Sequence, residues 1–82
     1  MGCLIVFRSV TEAQRAQRVL LRAGVTSVMT KPPLHLSGGS CAYALRVPYE
    51  QTPPALASLR CAGIRLQGVY IREDGLWREA VL

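Results

Sequence analysis

Four residues in this 82-residue chain have side chains suited to nucleophilic or ligand chemistry: Cys3, His35, Cys41 and Cys61. A thiol acts as a nucleophile only as its thiolate, so what matters is which cysteine has surroundings that favour ionisation. Cys41 follows the run KPPLHLSGGS, in which Pro32-Pro33 and Gly38-Gly39 bracket a turn-rich loop. Gly38 and Gly39 can adopt conformations that turn successive backbone N–H groups toward an anion, and the Ser40 hydroxyl adds a donor beside the thiol. His35 supplies a base or charge partner across the loop, the minimum for Cys-His nucleophilic catalysis, although no carboxylate lies nearby in sequence to orient its ring. The competing reading makes Cys41 a small apolar strand residue after a flexible turn and His35 a solvated loop side chain, since free cysteine is among the most buried residue types.

Three cysteines form an odd count without C-x-x-C spacing, and a single histidine accompanies them. That argues against a disulfide framework and against a zinc site, so no metal is expected and the thiols point to a reducing cytoplasm. Cys3 opens the apolar run CLIVF and is expected to be buried and inert. Cys61 falls near the C-terminus of a predicted helix, where the negative dipole end disfavours a thiolate.

The chain is short enough to be one domain, read as residues 1–82 with a core of 1–72 and an extension of 73–82. A chain of this size buries a small core and leaves no deep active-site cavity. Ten Lys and Arg against five Asp and Glu give a formal charge of +5, with Lys31 the only lysine. This balance suits acidic partners but reports non-specific attraction rather than function. With only five aromatic residues and no aromatic sheet-face pattern, nucleic acid is not the expected partner. The apolar run near the start is too short for a membrane span, and Val6 stands where a myristoylation signal needs Ser or Thr.

The elements that must position Cys41 follow from periodicity. Cys3–Phe7 reads as a central strand, and Ser9 or Thr11 offers a cap for an amphipathic helix over Glu12–Ala23 that Gly24 ends. In that helix Ala13, Ala16, Val19, Leu20 and Ala23 form one stripe; Arg15, Arg18 and Arg22 form a basic stripe that is either a solvated face or a docking surface. Val25–Thr30 and Cys41–Val47 read as strands. Thr52 caps a second helix with Pro53 at its first position, and Ala55, Leu56, Leu59 and Ala62 face inward. Ile64–Arg72 is a last strand with Gly68 as a bulge, and Asp74-Gly75 signals a tight turn after which the chain returns as an edge strand or forms a short helix.

The order β-α-β-β-α-β predicts an α+β ferredoxin-like sandwich, two helices on one face of a four-stranded antiparallel sheet. In that topology the start of the third strand lies beside the end of the first strand and the start of the first helix. Cys41 would then sit near the Arg8–Glu12 corner, where exposed amides and the Arg8 guanidinium favour a thiolate, pointing either outward into that corner or inward with Tyr43 and Leu45.

Over about Cys3 to Ile71 the chain resembles the short bacterial selenium/sulfur carrier-like proteins. The likeness rests on Phe7 and Ser9, the Ala13/Ala16/Leu20 helix closed by Ala23-Gly24, the Pro33–Cys41 loop, Leu45-Arg46-Val47, Ala62-Gly63-Ile64 and Gly68-Val69-Tyr70. That family's Ser-Cys-Gly motif falls on Ser40-Cys41, with Ala42 in the glycine position. The resemblance implies a cytoplasmic bacterial protein that accepts sulfur or selenium on Cys41 as a persulfide or selenopersulfide and passes it on. Its partners would be donor and acceptor proteins such as a cysteine desulfurase or a sulfurtransferase-like carrier. It would need no cofactor, and would be a carrier rather than a turnover enzyme. The alternative is a non-catalytic regulatory or interaction module, a homodimer formed through an edge or through an open sheet face bearing Ala42, Ala44, Val69 and Ile71.

Overall fold

The computed structural model describes residues 2–33 and 42–80. It is an α+β structure in which β1 (Gly2–Phe7), β2 (Val28–Thr30), β3 (Tyr43–Pro48), β4 (Gly68–Glu73) and β5 (Leu76–Glu79) form one antiparallel sheet in the order β2-β3-β1-β4-β5. Helices α1 (Val10–Arg22) and α2 (Thr52–Cys61) complete it. The sheet has five strands rather than the expected four. Asp74 (φ 53°) and Gly75 (φ 79°) both take positive φ, the geometry of a two-residue hairpin turn whose twist matches the flanking strands, so Leu76–Glu79 returns as an edge strand and not as a helix.

Strand β1 lies at the centre, paired with β3 on one side and β4 on the other. Its residues Cys3 to Phe7 are all 0–2% exposed, which accounts for the unbroken apolar run: both faces are covered, so no polar alternation is required. Cys3, Ile5 and Phe7 point to the face that carries both helices. There they share a core with Ala13, Ala16 and Leu20 of α1, with Ala55, Leu56 and Leu59 of α2, and with Leu45, Val47 and Val69 of the neighbouring strands. Each fully buried Leu, Ile or Phe of this set stabilises the fold by about 1.5–3 kcal/mol relative to exposure.

Leu4 and Val6 point to the opposite, helix-free face. The alternative, dimeric reading allows an open apolar sheet face, but on this side Leu4, Val6 and Ala44 are at most 2% exposed, and Tyr70 and Trp77 pack against them. Trp77 reaches this face because β5 continues the sheet; its ring also lies 5.8 Å from the Arg72 guanidinium carbon. The four residues proposed for an open face do not share one. Val69 stands opposite Ile5 and Ile71 opposite Cys3, on the helix-covered side, whereas Ala42 and Ala44 belong to the other cluster.

Several boundaries differ from the sequence reading for local reasons. The Ser9 side chain caps α1, accepting from the Glu12 N–H at 3.3 Å, so the helix begins at Val10. After Gly24 (φ 77°), the Val25 N–H donates back to Leu20 O at 2.9 Å. This closing turn tucks Val25 into the core, and β2 is delayed to Val28. Thr52 does not cap α2. A 3-10 turn at Tyr49–Gln51 precedes the helix, Gln51 takes the cap position, and the Thr52 hydroxyl donates to Pro48 O at 3.4 Å from inside the first turn. Ala23 and Ala62, expected inward, are exposed at the helix ends.

Gly68 forms no bulge, since it pairs in register with Val6. The need for glycine comes instead from Tyr70, two residues along on the same face: a Cβ at position 68 would sit 2.9 Å from two atoms of the Tyr70 ring and hydroxyl. The phenol lies over the glycine and so reaches the Leu4/Val6 cluster. A Gly68→Ala substitution should therefore push the ring off its seat and cost about 1 kcal/mol net of the backbone entropy that alanine saves. In a Tyr70→Ala background the same substitution should be neutral or stabilising, and chemical denaturation of the four proteins of the cycle measures that change of sign.

Candidate functional site

Antiparallel pairing collects several chain segments at one end of the sheet. The Phe7 end of β1 meets the start of β3 through the pair Phe7–Tyr43, and β2 reaches the same end at Thr30, opposite Ala44. Gln67 joins them by donating its N–H to Val6 O at 2.8 Å. The N-terminus of α1, with Arg8 and Ser9, emerges at this end because the helix begins three residues after β1 stops.

Cys41, Ser40, Gly39 and Gly38 lie outside the described residues, as does His35. What is described is the frame on either side of them. Pro33 ends one flank and Ala42, the residue after Cys41, begins the other. These flanks are tied together by Lys31, whose ammonium donates to Ala42 O at 3.3 Å and sits 4.4 Å from the centroid of the Tyr43 ring. A cation over an aromatic face is stabilised by the ring quadrupole, so the charge is held in place rather than left to wander in solvent. Ala42 itself is buried at 3% exposure.

The sequence reading passed over Lys31. Its signal was its uniqueness: the only lysine in the chain, immediately before two prolines that fix the direction of the backbone. Arg8, nominated as charge partner, is exposed just past β1 and lines a cleft of about 370 Å³ with Ser9, Glu12, Arg65, Leu66 and Gln67. Arg65 is a second cation that sequence reasoning missed. It reaches the cleft because Gly63 (φ 70°) closes α2 with the Ile64 N–H donating to Leu59 O, which turns residues 64–67 back toward the end of β1.

This end of the sheet therefore presents guanidinium groups and the amide end of α1, an environment that favours anions. Glu12 works against it, and part of that carboxylate's charge is taken up by Arg15 at 4.0 Å. Among the described residues no group of three or more His, Cys, Asp or Glu side chains comes together as a metal site, and no helix is long and apolar enough to cross a membrane.

The two described cysteines are in opposite situations. Cys61 is exposed at the last residue of α2. Cys3 is fully buried at the far end of β1, and burial pushes its thiol above the ordinary value of 9.0, an effect partly offset by its contact with the Thr52 side chain. An unfolded Cys3 ionises more readily than the buried one. Its contribution to stability is therefore complete below the unfolded value and is lost as pH rises through the folded one. Equilibrium unfolding followed against pH should show stability falling above about pH 8.5–9. A Cys3→Ala variant, though less stable throughout, should lose that part of the alkaline slope. In the native state a thiol reagent should modify Cys61 and leave Cys3 untouched until the chain unfolds.

A sequence profile of the family described as "Putative Se/S carrier protein-like" matches residues 2–71. No curated protein and no solved structure matches the chain at a significant level. The matched span runs from the first residue of β1 into β4, so it takes in the buried central strand, both helices and the whole segment between β2 and β3. On that extent, the chain belongs to the Se/S carrier protein-like family.

Proposed function

We propose that this protein is a carrier of sulfane sulfur or selenium that holds its cargo on Cys41 as a persulfide or selenopersulfide. The observation that carries this reading is the family match over residues 2–71. The frame around Cys41 supports it. Ala42, the next residue, stands at the end of the sheet where Arg8, Arg65 and the α1 N-terminus gather, and the Lys31 ammonium is bonded to its carbonyl. A thiolate and a persulfide are both anions, and both are favoured by such neighbours. Cys3 is sealed in the core and Cys61 lies at a helix C-terminus, so neither competes for this role.

The transfer balances without an external oxidant or reductant. The Cys41 thiolate attacks the outer sulfur of a donor persulfide; that S–S bond breaks, the donor leaves as a thiolate, and a new S–S bond forms on Cys41. An acceptor thiolate then attacks the outer sulfur in turn, and Cys41 departs as a thiolate. With selenium the outer atom changes and the electron count does not. In this reading Ser40 and the Gly38-Gly39 amides are donors to the anion, and Arg8 and Lys31 supply charge. The protein works in the cytoplasm as a carrier without cofactor, between a donor such as a cysteine desulfurase and an acceptor protein.

We also read the order β2-β3-β1-β4, with both helices on one face, as a ferredoxin-like unit to which β5 has been added, and residues 1–82 as one domain. The rival homodimer reading invoked an uncovered apolar sheet face or an edge. The burial of Leu4, Val6 and Ala44 within a single chain removes the first of these two surfaces.

Incubation with a cysteine desulfurase and cysteine should add sulfur to Cys41, seen as a mass gain on the peptide containing it and absent in Cys41→Ser. The idea fails if the chain gains no sulfur while a known carrier does under the same conditions. Replacing Lys31 by Gln should slow alkylation of Cys41 at neutral pH several-fold while leaving Cys61 unchanged; equal rates in both proteins would remove Lys31 from the site.

A further inference from the structure

The formal charge of +5 is not spread evenly over the molecule. Strands β3, β4 and β5 and their hairpin carry Arg46, Arg72 and Arg78 against Glu73, Asp74 and Glu79, so this part of the sheet is neutral. Helix α1 carries Arg15, Arg18 and Arg22 against Glu12 alone, and α2 adds Arg60 with no carboxylate of its own. The remaining cations, Arg8, Lys31 and Arg65, lie at the sheet end described above. With Glu50 in the 3-10 turn before α2, the helical layer and that end together carry seven cations against two carboxylates, which is the whole excess of +5.

On α1 the arrangement opposes the helix's own interest. Arg18 and Arg22 are four residues apart and Arg15 and Arg18 three apart, spacings at which like charges meet on the surface and cost a few tenths of a kcal/mol per pair. A face selected only for solvation alternates sign; here only Arg15 has an ion-pair partner on the helix, and among the described residues Arg18 and Arg22 form no ion pair. Arg22 lines a shallow groove of about 560 Å³ between α1 and α2 together with Val19, Ala23, Ala57 and Cys61, while Arg18, one turn earlier, lines a neighbouring cleft with Gln17, Leu21 and Gly24. The two helices run antiparallel, since one follows β1 and the other precedes β4, and the small side chains between them leave room for a third helix to approach closely.

We propose that the α1–α2 groove docks an acidic amphipathic helix of a partner protein, its apolar stripe against Val19, Ala23 and Ala57 and its carboxylates against Arg18 and Arg22. The occupant is set by charge. A basic helix would add to the repulsion already present, and a second copy of this chain would bring its own arginines to the same place. This surface lies on the outer side of the helices, so docking there leaves the Arg8 and Lys31 end of the sheet open to solvent. The inference does not depend on what Cys41 carries.

The test uses the full chain with Cys41→Ser, which separates its outcome from that of the sulfur-loading experiment. The probe is a synthetic peptide helix with Leu and Ala on one face and Glu on the other. Its controls are a scrambled peptide of identical composition and a version with Lys in place of Glu. Titration into isotopically labelled protein should give saturable amide shifts concentrated on Val19, Ala23, Ala57 and Cys61 for the acidic helix alone, weakening as salt is added. Arg18→Glu/Arg22→Glu should reduce affinity by about tenfold or more, and the milder Arg18→Gln/Arg22→Gln pair should reduce it in the same direction. Equal binding of the scrambled peptide, shifts spread over the sheet, or no saturable binding of the acidic helix would overturn the proposal.

Discussion

The burial of β1 on both faces is the constraint from which the rest of this structure follows. A strand with no exposed side chain from Cys3 to Phe7 must have neighbours on both edges and a cover on both faces. The edges are supplied by β3 and β4, which both come from the second half of the chain, so the half that contains β1 cannot satisfy it alone. One face is covered by the apolar stripes of α1 and α2. The other has no helix and is closed by large side chains from β4 and β5.

That second closure explains features that otherwise look incidental. Gly68 is small so that the Tyr70 ring can lie over it, and the Asp74-Gly75 turn is tight so that β5 carries Trp77 back over Leu4 and Val6. The C-terminal hairpin is thus part of the core and not an appendage to it. Its edge is short and bears charged residues, including the Arg78–Glu73 ion pair, which discourages pairing with another sheet.

At the other end of β1 the same pairing assembles the candidate site. Antiparallel neighbours bring the start of β3, the end of β2 and the approach to β4 to the place where α1 begins. Cations from three separate segments, Arg8, Lys31 and Arg65, gather there with a helix amide end. Lys31 is held there locally, by the Ala42 carbonyl and the Tyr43 ring. A thiol chemistry that passes through anions needs this kind of surrounding and little else.

What the sequence by itself determined is whatever depends on neighbours in the chain. The apolar run of β1, the Ala13/Ala16/Leu20 stripe, the glycines that close both helices and the Asp-Gly turn all act within a few residues, and their periodicity or φ preference is legible directly. The family resemblance was legible for the same reason, being carried by short motifs over about Cys3 to Ile71, and the family profile matches residues 2–71. Only the tertiary structure decided which face each strand turns inward, because a period of two fixes alternation but not direction; Val69 and Ile71 were assigned to the wrong side on that account. It also decided that Thr52 bonds back to Pro48 instead of capping, that Gly68 serves a ring and not a bulge, and that Lys31 and Arg65 join Arg8 at one end of the sheet. Those choices are settled by residues far apart in sequence, whose proximity exists only once β1 has found both of its partners.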